Sequence, residues 1–211
     1  MRRNKFGFTD IILTPHYITS YYETPGNEVQ LIQESLQKIL KEREINVNLH
    51  SGMEIYISEE LDSLVKNGTV IGLANSNYLL IEFPLNTTPK YIDEILFLMK
   101  GMGYQVIIAH PERYKVVQED MEYAVQLVEK GCLLQSNFGS IAELYGKQAK
   151  KTIKKLLKMD LITYLASDTH REGTIYKIMP QIIKKLKKEI SEEKLYELTT
   201  KNPAKIIEIY K

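Results

Sequence analysis

A chain of 211 residues, 44% hydrophobic and 26% charged, has the composition of one globular domain with a sizeable core. Its formal net charge of +1 sets up no global field toward nucleic acid, and no apolar run approaches the roughly 20 residues of a membrane span. Its single cysteine, Cys132, excludes an internal disulfide and fits a reducing, cytoplasmic setting, and no apolar stretch follows the basic start Met1-Arg2-Arg3 to make a signal peptide.

In chain order, short apolar runs rich in Ile, Val, Leu and Tyr predict strands at Asp10–Thr14, Val47–His50, Tyr78–Phe83, Gln105–Ala109, Cys132–Ser136 and Ile162–Ala166. Helical patterns lie between them. Ser58-Glu59-Glu60 reads as an N-cap with an acidic first turn. Thr88 reads as an N-cap with Pro89 at the first helical position, placing Ile92, Ile95, Leu96 and Met99 on one face. The Lys-rich stretches Lys147–Lys158 and Ile182–Lys188 read as helices with a solvated basic face. Ser191 caps a further helix, and Asn202-Pro203 opens the last one. Repeated strand–helix alternation implies parallel strands with helical crossovers, and leaves a barrel and a doubly wound sheet both open. No Gly-rich phosphate loop follows any strand, which counts against a nucleotide-binding sheet.

Polar residues at strand ends carry the chemistry. His16, His110 and His170 stand at or just beyond predicted strands, as does Asp168. Glu54 follows a strand, and Glu82 lies inside the apolar run Tyr-Leu-Leu-Ile-Glu82-Phe-Pro. An anion in such a run costs several kcal/mol unless a cation compensates it. Taken singly, each residue has an ordinary structural explanation: a hydrogen-bonded core histidine, an ion pair, a helix cap. Their shared topological place, at strand ends that converge in barrels, points to a metal or phosphate site. Mixed imidazole and carboxylate ligands suit Zn²⁺, Mn²⁺ or Fe²⁺. Arg113, three residues past His110, has the bidentate fork expected of a phosphate clamp. His50, within its strand, reads as structural, and Cys132 as a buried core thiol.

The stretches Thr9-Asp-Ile-Ile-Leu-Thr-Pro-His16, Gly52-Met-Glu54-Ile, Leu80-Ile-Glu82-Phe-Pro, Ile108-Ala-His110-Pro-Glu-Arg113-Tyr, Gln135-Ser-Asn-Phe-Gly139 and Ala166-Ser-Asp168-Thr-His170, in this order, resemble the PHP superfamily. Within it they are most similar to the metal-dependent protein-tyrosine phosphatases of bacterial capsule and exopolysaccharide synthesis. The resemblance implies a single PHP domain over 1–211 with an α/β fold, a distorted (β/α)7 TIM-like barrel. It implies up to three metal ions, Mn²⁺ foremost, with Zn²⁺, Fe²⁺ or Mg²⁺ as alternatives. Glu54 would bridge ions, Glu82 and His110 would join it on one, Asp168 would bind a second, and His16 with His170 a third. Arg113 would hold the phosphate. The implied substrate is the phosphorylated tail of a tyrosine kinase. Two other outcomes stay open: a small-molecule phosphatase of histidinol-phosphate type, and an inactive relative that only binds phosphorylated partners.

Two features depart from the family pattern. The family opens on a strand with His-x-His, and no two of the four histidines here are two apart. The expectation is therefore a domain incomplete at its N-terminus, beginning inside the first helix near Arg3–Phe8, with the first strand missing and fewer ions held. Its strands Asp10–Thr14 and Ile162–Ala166 would expose unpaired edges and favour homo-oligomers. The second departure is Arg171, adjacent to His170 where the family carries an arginine a few residues further on; it is the candidate second phosphate-binding cation.

Overall fold

The computed structural model describes residues 7–171 and 174–208. Its strands are β1 (Asp10–Leu13), β2 (His16–Tyr17), β3 (Asn48–Ser51), β4 (Glu54–Tyr56), β5 (Tyr78–Glu82), β6 (Gln105–Ala109), β7 (Leu133–Asn137) and β8 (Tyr164–Ala166). All pair in parallel, in a six-stranded sheet of order β2-β4-β5-β6-β7-β8 and a two-stranded sheet β1-β3. The larger helices are α1 (Gly26–Glu42), α2 (Leu61–Lys66), α3 (Ile92–Gly101), α4 (Lys115–Glu119), α5 (Glu122–Glu129), α6 (Phe138–Ile141), α7 (Gly146–Lys158), α8 (Thr174–Leu186), α9 (Glu192–Tyr196) and α10 (Asn202–Glu208). Parallel neighbours need such crossovers, so the alternation read from the sequence is the alternation that forms.

Each of the six predicted strands is present, with ends shifted by a residue or two. Two further strands, β2 and β4, are not expected from the sequence. Both arise where the chain steps from the small sheet into the large one. After β1, Pro15 has no N–H for a ladder, and the chain resumes at His16 beside β4. After β3, Gly52 makes the same step. A Cβ at Gly52 would stand 2.9 Å from Ile12 Cγ2 and 3.0 Å from Leu73 Cδ2, so only glycine allows the two layers to approach this closely. The bond from Glu54 N–H to the Pro15 carbonyl, 3.0 Å, locks the two steps together.

Strand alternation sorts the core into two layers. Ile55, Ile81, Ile108 and Leu134 align in register and pack against helices. Leu80, Ile107, Ala109 and Tyr164 face the opposite side with Leu73 and Ile206. Glu82 shares the parity of Leu80, so it is carried onto this second face rather than into the helix layer.

Several local expectations need correction. The predicted start of α3 at Pro89 is too early: the Ile92 N–H is satisfied by the Pro89 carbonyl at 3.4 Å, and no side chain caps the helix. Its predicted face, Ile92, Ile95, Leu96 and Met99, is buried. Likewise Leu61 N–H bonds the Ser58 carbonyl, leaving the Ser58 hydroxyl without a partner. In both cases a backbone turn supplies the acceptor that the cap would have provided. Ser191 does cap α9, its Oγ accepting from Lys194 N–H at 3.1 Å. In α7 the buried residues are Ala149, Thr152, Ile153, Leu156 and Leu157, with the lysines outside them. Among the described residues the main-sheet edges are β2 and β8. Ile162–Ala166 is thus an edge as expected, whereas Asp10–Leu13 belongs to the small sheet, paired with β3. The expected start inside a helix near Arg3–Phe8 falls mostly outside the described residues; Gly7 and Phe8 are not helical. No helix among the described residues is long and apolar enough to cross a membrane.

Candidate metal centre

The register sets the site. His16 opens β2 directly beside Glu54, which opens β4. Glu82 ends β5, and His110 follows β6 at once. Asp168 and His170 come just after β8. Two of these residues hold left-handed backbone without being glycine, His110 at φ 34° and Asp168 at φ 46°. Such conformations cost of order 1–3 kcal/mol each and persist where the surroundings fix them.

All six candidate ligands form one contiguous cluster. His110 Nε2 lies 3.0 Å from Glu54 Oε1 and 3.2 Å from Glu82 Oε1. His16 Nδ1 lies 3.5 Å from Glu82 Oε2, and its Nε2 lies 3.0 Å from His170 Nε2. His170 Nδ1 lies 3.3 Å from Asp168 Oδ1. His16, Glu54 and Glu82 each place one ligand atom within 4.8 Å of the others. Glu54 and His110 are buried, and a cavity of about 750 Å³ opens beside them.

Burial alone would lower the His110 pKa, but its hydrogen bonds to Glu54 and Glu82 overcome that and raise it to about 9. Burial alone would raise Glu82; the His110 hydrogen bond and charge, with His16 and Arg113 nearby, hold it below the usual carboxylate range. In this form a proton on His110 keeps the two carboxylates together. The donor set also fits a divalent cation. Among the described residues, His16 Nδ1 and His110 Nδ1 are buried without hydrogen-bond partners, and the 3.5 Å approach of His16 to Glu82 lacks hydrogen-bond geometry. Imidazole nitrogens and carboxylates gathered this closely, and left unsatisfied, are what borderline cations bind.

Arg113 joins the cluster through Asp168, Nη1 to Oδ2 at 3.5 Å, and its Cζ sits 4.6 Å from the Tyr145 ring centroid. Arg171 is exposed just past His170, and none of the described contacts joins it to the cluster. His50 stands apart, its Nε2 3.0 Å from Asp10 Oδ1 in the small sheet. Cys132 is buried, and burial pushes its thiol up to about 11.

Four supporting residues have no role evident in the sequence. Asn137 Nδ2 donates to Asp168 Oδ2 at 2.6 Å. Glu112 is fully buried; its Oε1 accepts from Asn137 N–H at 2.9 Å and Ser140 Oγ at 2.6 Å, which ties the loop after β6 to the end of β7. Tyr114 donates its hydroxyl proton to the Ala109 carbonyl at 2.6 Å and accepts from Phe83 N–H at 2.9 Å. Tyr145 hydroxyl lies 3.4 Å from Asp168 Oδ2. The only available signal was their place within the blocks around His110 and after β7.

The fold and the cluster define a parallel α/β protein with a mixed histidine–carboxylate centre where its strands converge. The chain belongs to the CpsB/CapC family of capsular polysaccharide synthesis, whose model matches residues 2–208. It is 33% identical over 193 residues to tyrosine-protein phosphatase YwqE of Bacillus subtilis, covering 92% of this chain and 76% of that one. It is 28% identical over 206 residues to tyrosine-protein phosphatase CpsB of Streptococcus pneumoniae, covering 95% and 85%. With CapC of Staphylococcus aureus it shares 33% identity over 162 residues, spanning 64% of that protein's length. A solved structure among those of YwqE from Bacillus subtilis and CpsB from Streptococcus pneumoniae, described as metal-dependent tyrosine phosphatases, superposes with a TM-score of 0.88 at 32% identity. That match covers 95% of this chain and 81% of the other. The α/β fold of TIM-like PHP type is thereby the fold of this chain, with the barrel unclosed between β2 and β8 among the described residues.

Proposed function

We propose that this chain hydrolyses phosphotyrosine on a partner protein, using a divalent cation held by Glu54, Glu82, His110 and His16, with Asp168 and His170 as further ligands. The observation that carries the reading is the convergence of these six side chains with the Arg113 guanidinium at one end of a parallel sheet. A cation bound there would supply Lewis acidity, activating water and neutralising phosphate charge. The protein's own groups do the rest. Glu54 and Glu82, buried or nearly so, set the negative field that draws the cation in, and His110 yields its proton when the cation binds. Arg113 offers N–H donors to phosphoryl oxygens, a charge-assisted pairing that suits its fork. Arg171, exposed at the rim, is a second cation within the same loop system. A cysteine-nucleophile route does not fit, since a buried thiol raised to about 11 is protonated at neutral pH.

Mn²⁺ is the foremost candidate, with Zn²⁺, Fe²⁺ and Mg²⁺ as alternatives. His16, Glu54 and Glu82, each with a ligand atom within 4.8 Å of the others, would hold one such ion. The substrate by this reading is the phosphorylated tyrosine-rich tail of a cytoplasmic kinase that controls capsule synthesis. The relatives' names support the substrate class. The test is phosphate release from a phosphotyrosine peptide and from histidinol phosphate, with added Mn²⁺ and with EDTA. Faster release from the peptide, abolished by EDTA and by His110→Ala, is expected. No release with any of the four metals, together with unchanged Mn²⁺ binding in His110→Ala, overturns the proposal.

A further inference from the structure

The Arg113 guanidinium is held in an unusual way for a residue that must receive phosphate. Among the described residues its hydrogen-bond partner is Asp168 Oδ2 alone, at a long 3.5 Å. A long flexible side chain with one weak polar anchor has no fixed orientation. What does fix it is the Tyr145 ring, with Arg113 Cζ over it at 4.6 Å from the centroid. A guanidinium seated over an aromatic face is attracted to it and keeps its N–H edge free.

Tyr145 is itself fixed at three points. Its hydroxyl lies 3.4 Å from Asp168 Oδ2. Its ring rests on Gly139, where a Cβ would come 2.9 Å from Cε2. Its backbone is delivered by a turn with left-handed residues near it on both sides, Glu143 at φ 72° and Gly146 at φ 91°. A Cβ at Gly139 would also meet Leu144 Cδ1 at 3.1 Å, so this glycine admits the whole Leu144-Tyr145 turn, with the half-buried Tyr145 ring against it.

We propose that Tyr145 is a positioning residue that acts through Arg113: its ring presets the guanidinium so that the N–H fork meets a phosphoryl group without first being ordered. The inference rests on the reading of Arg113 as the phosphate-binding residue. Tyr145 itself touches neither the cation ligands other than Asp168 nor, by this assignment, the reacting atoms.

The experiment uses the full chain loaded with Mn²⁺ and five variants: Tyr145→Leu, Tyr145→Phe, Gly139→Ala, Arg113→Ala and the double variant Arg113→Ala/Tyr145→Leu. Inorganic phosphate binding is measured by calorimetry, Mn²⁺ affinity by electron paramagnetic resonance, and KM and kcat with a phosphotyrosine peptide. Tyr145→Leu should weaken phosphate binding and raise KM on the order of tenfold, the scale of a partly desolvated cation–π contact, with Mn²⁺ affinity unchanged. Tyr145→Phe keeps the ring and should restore most of the affinity. Gly139→Ala, which displaces the ring without removing it, should fall between them. In the Arg113→Ala background, Tyr145→Leu should have no further effect. Full phosphate affinity in Tyr145→Leu, or an undiminished effect in the Arg113→Ala background, overturns the positioning role. Loss of Mn²⁺ affinity in Tyr145→Leu also overturns it, because Tyr145 would then be acting through the contact of its hydroxyl with Asp168. A wild-type chain that binds Mn²⁺ but neither binds phosphate nor hydrolyses the peptide overturns the phosphatase reading itself, and the role of Tyr145 with it.

Discussion

Replacing Tyr114 by phenylalanine removes one oxygen from the centre of the fold. That oxygen donates to the Ala109 carbonyl at 2.6 Å and accepts from the Phe83 N–H at 2.9 Å, so it joins the ends of β5 and β6. Tyr114 is 1% exposed, and water cannot take the place of its hydroxyl without a packing change. The phenyl ring keeps its stacking on Phe83, centroids 5.5 Å apart, so the loss is confined to hydrogen bonding. The Phe83 N–H, whose acceptor among the described residues is this hydroxyl, is left unsatisfied, at a cost of about 2 kcal/mol. For a chain of this size that corresponds to a fall in Tm of about 4–8 °C. The damage should also reach the metal centre, because Glu82 immediately precedes Phe83 and His110 immediately follows Ala109. Loss of such support commonly weakens metal binding about 10- to 100-fold. Differential scanning calorimetry with EDTA and Mn²⁺ titration monitored by electron paramagnetic resonance read the two effects separately. A Tm within about 1 °C of wild type with undiminished Mn²⁺ affinity would refute the reasoning, since it would show that neither strand end depends on this hydroxyl.

Three further outcomes are expected. In EDTA, the raised His110 pKa contributes stability that is complete below about 6.5 and lost as pH rises toward about 9; urea melts should show a fall of about 1.4 kcal/mol per pH unit in that window. His110→Ala should abolish that slope, and saturating Mn²⁺, which replaces the proton, should flatten it; a wild-type chain equally stable at pH 6.5 and 8.5 in EDTA would refute it. Gly52→Ala should destabilise by about 1–3 kcal/mol, because the new Cβ meets Ile12 and Leu73 at 2.9 and 3.0 Å; wild-type stability in urea would show that the two layers can part at no cost. The edges of β2 and β8, open among the described residues, should pair between molecules, so light scattering at tens of micromolar should detect oligomers, and a clean monomer would count against it.

Much of the architecture was legible in the chain because apolar burial leaves a period. Runs such as Tyr78–Glu82 and Gln105–Ala109 are too short for helices and too apolar for loops, and they are strands. The candidate ligands were legible for a related reason. A carboxylate in an apolar run, such as Glu82, is expensive unless a cation meets it, so its residue type alone announces a partner. Asn137, Tyr114 and Tyr145 announce nothing, because neutral polar side chains sit at low cost in many settings. Only the fold brings Tyr145 over Arg113 and Tyr114 between two strand ends. The breaks at Pro15 and Gly52 were likewise hidden, since a proline or a glycine after a strand reads as its end. Whether the chain stops there or steps into a second sheet depends on the neighbour that receives it, here β4 for His16 and β5 for Glu54. Local sequence therefore determined six of the eight strands and which residues carry charge. Register, a property of pairs of strands distant in the chain, decided which charges meet.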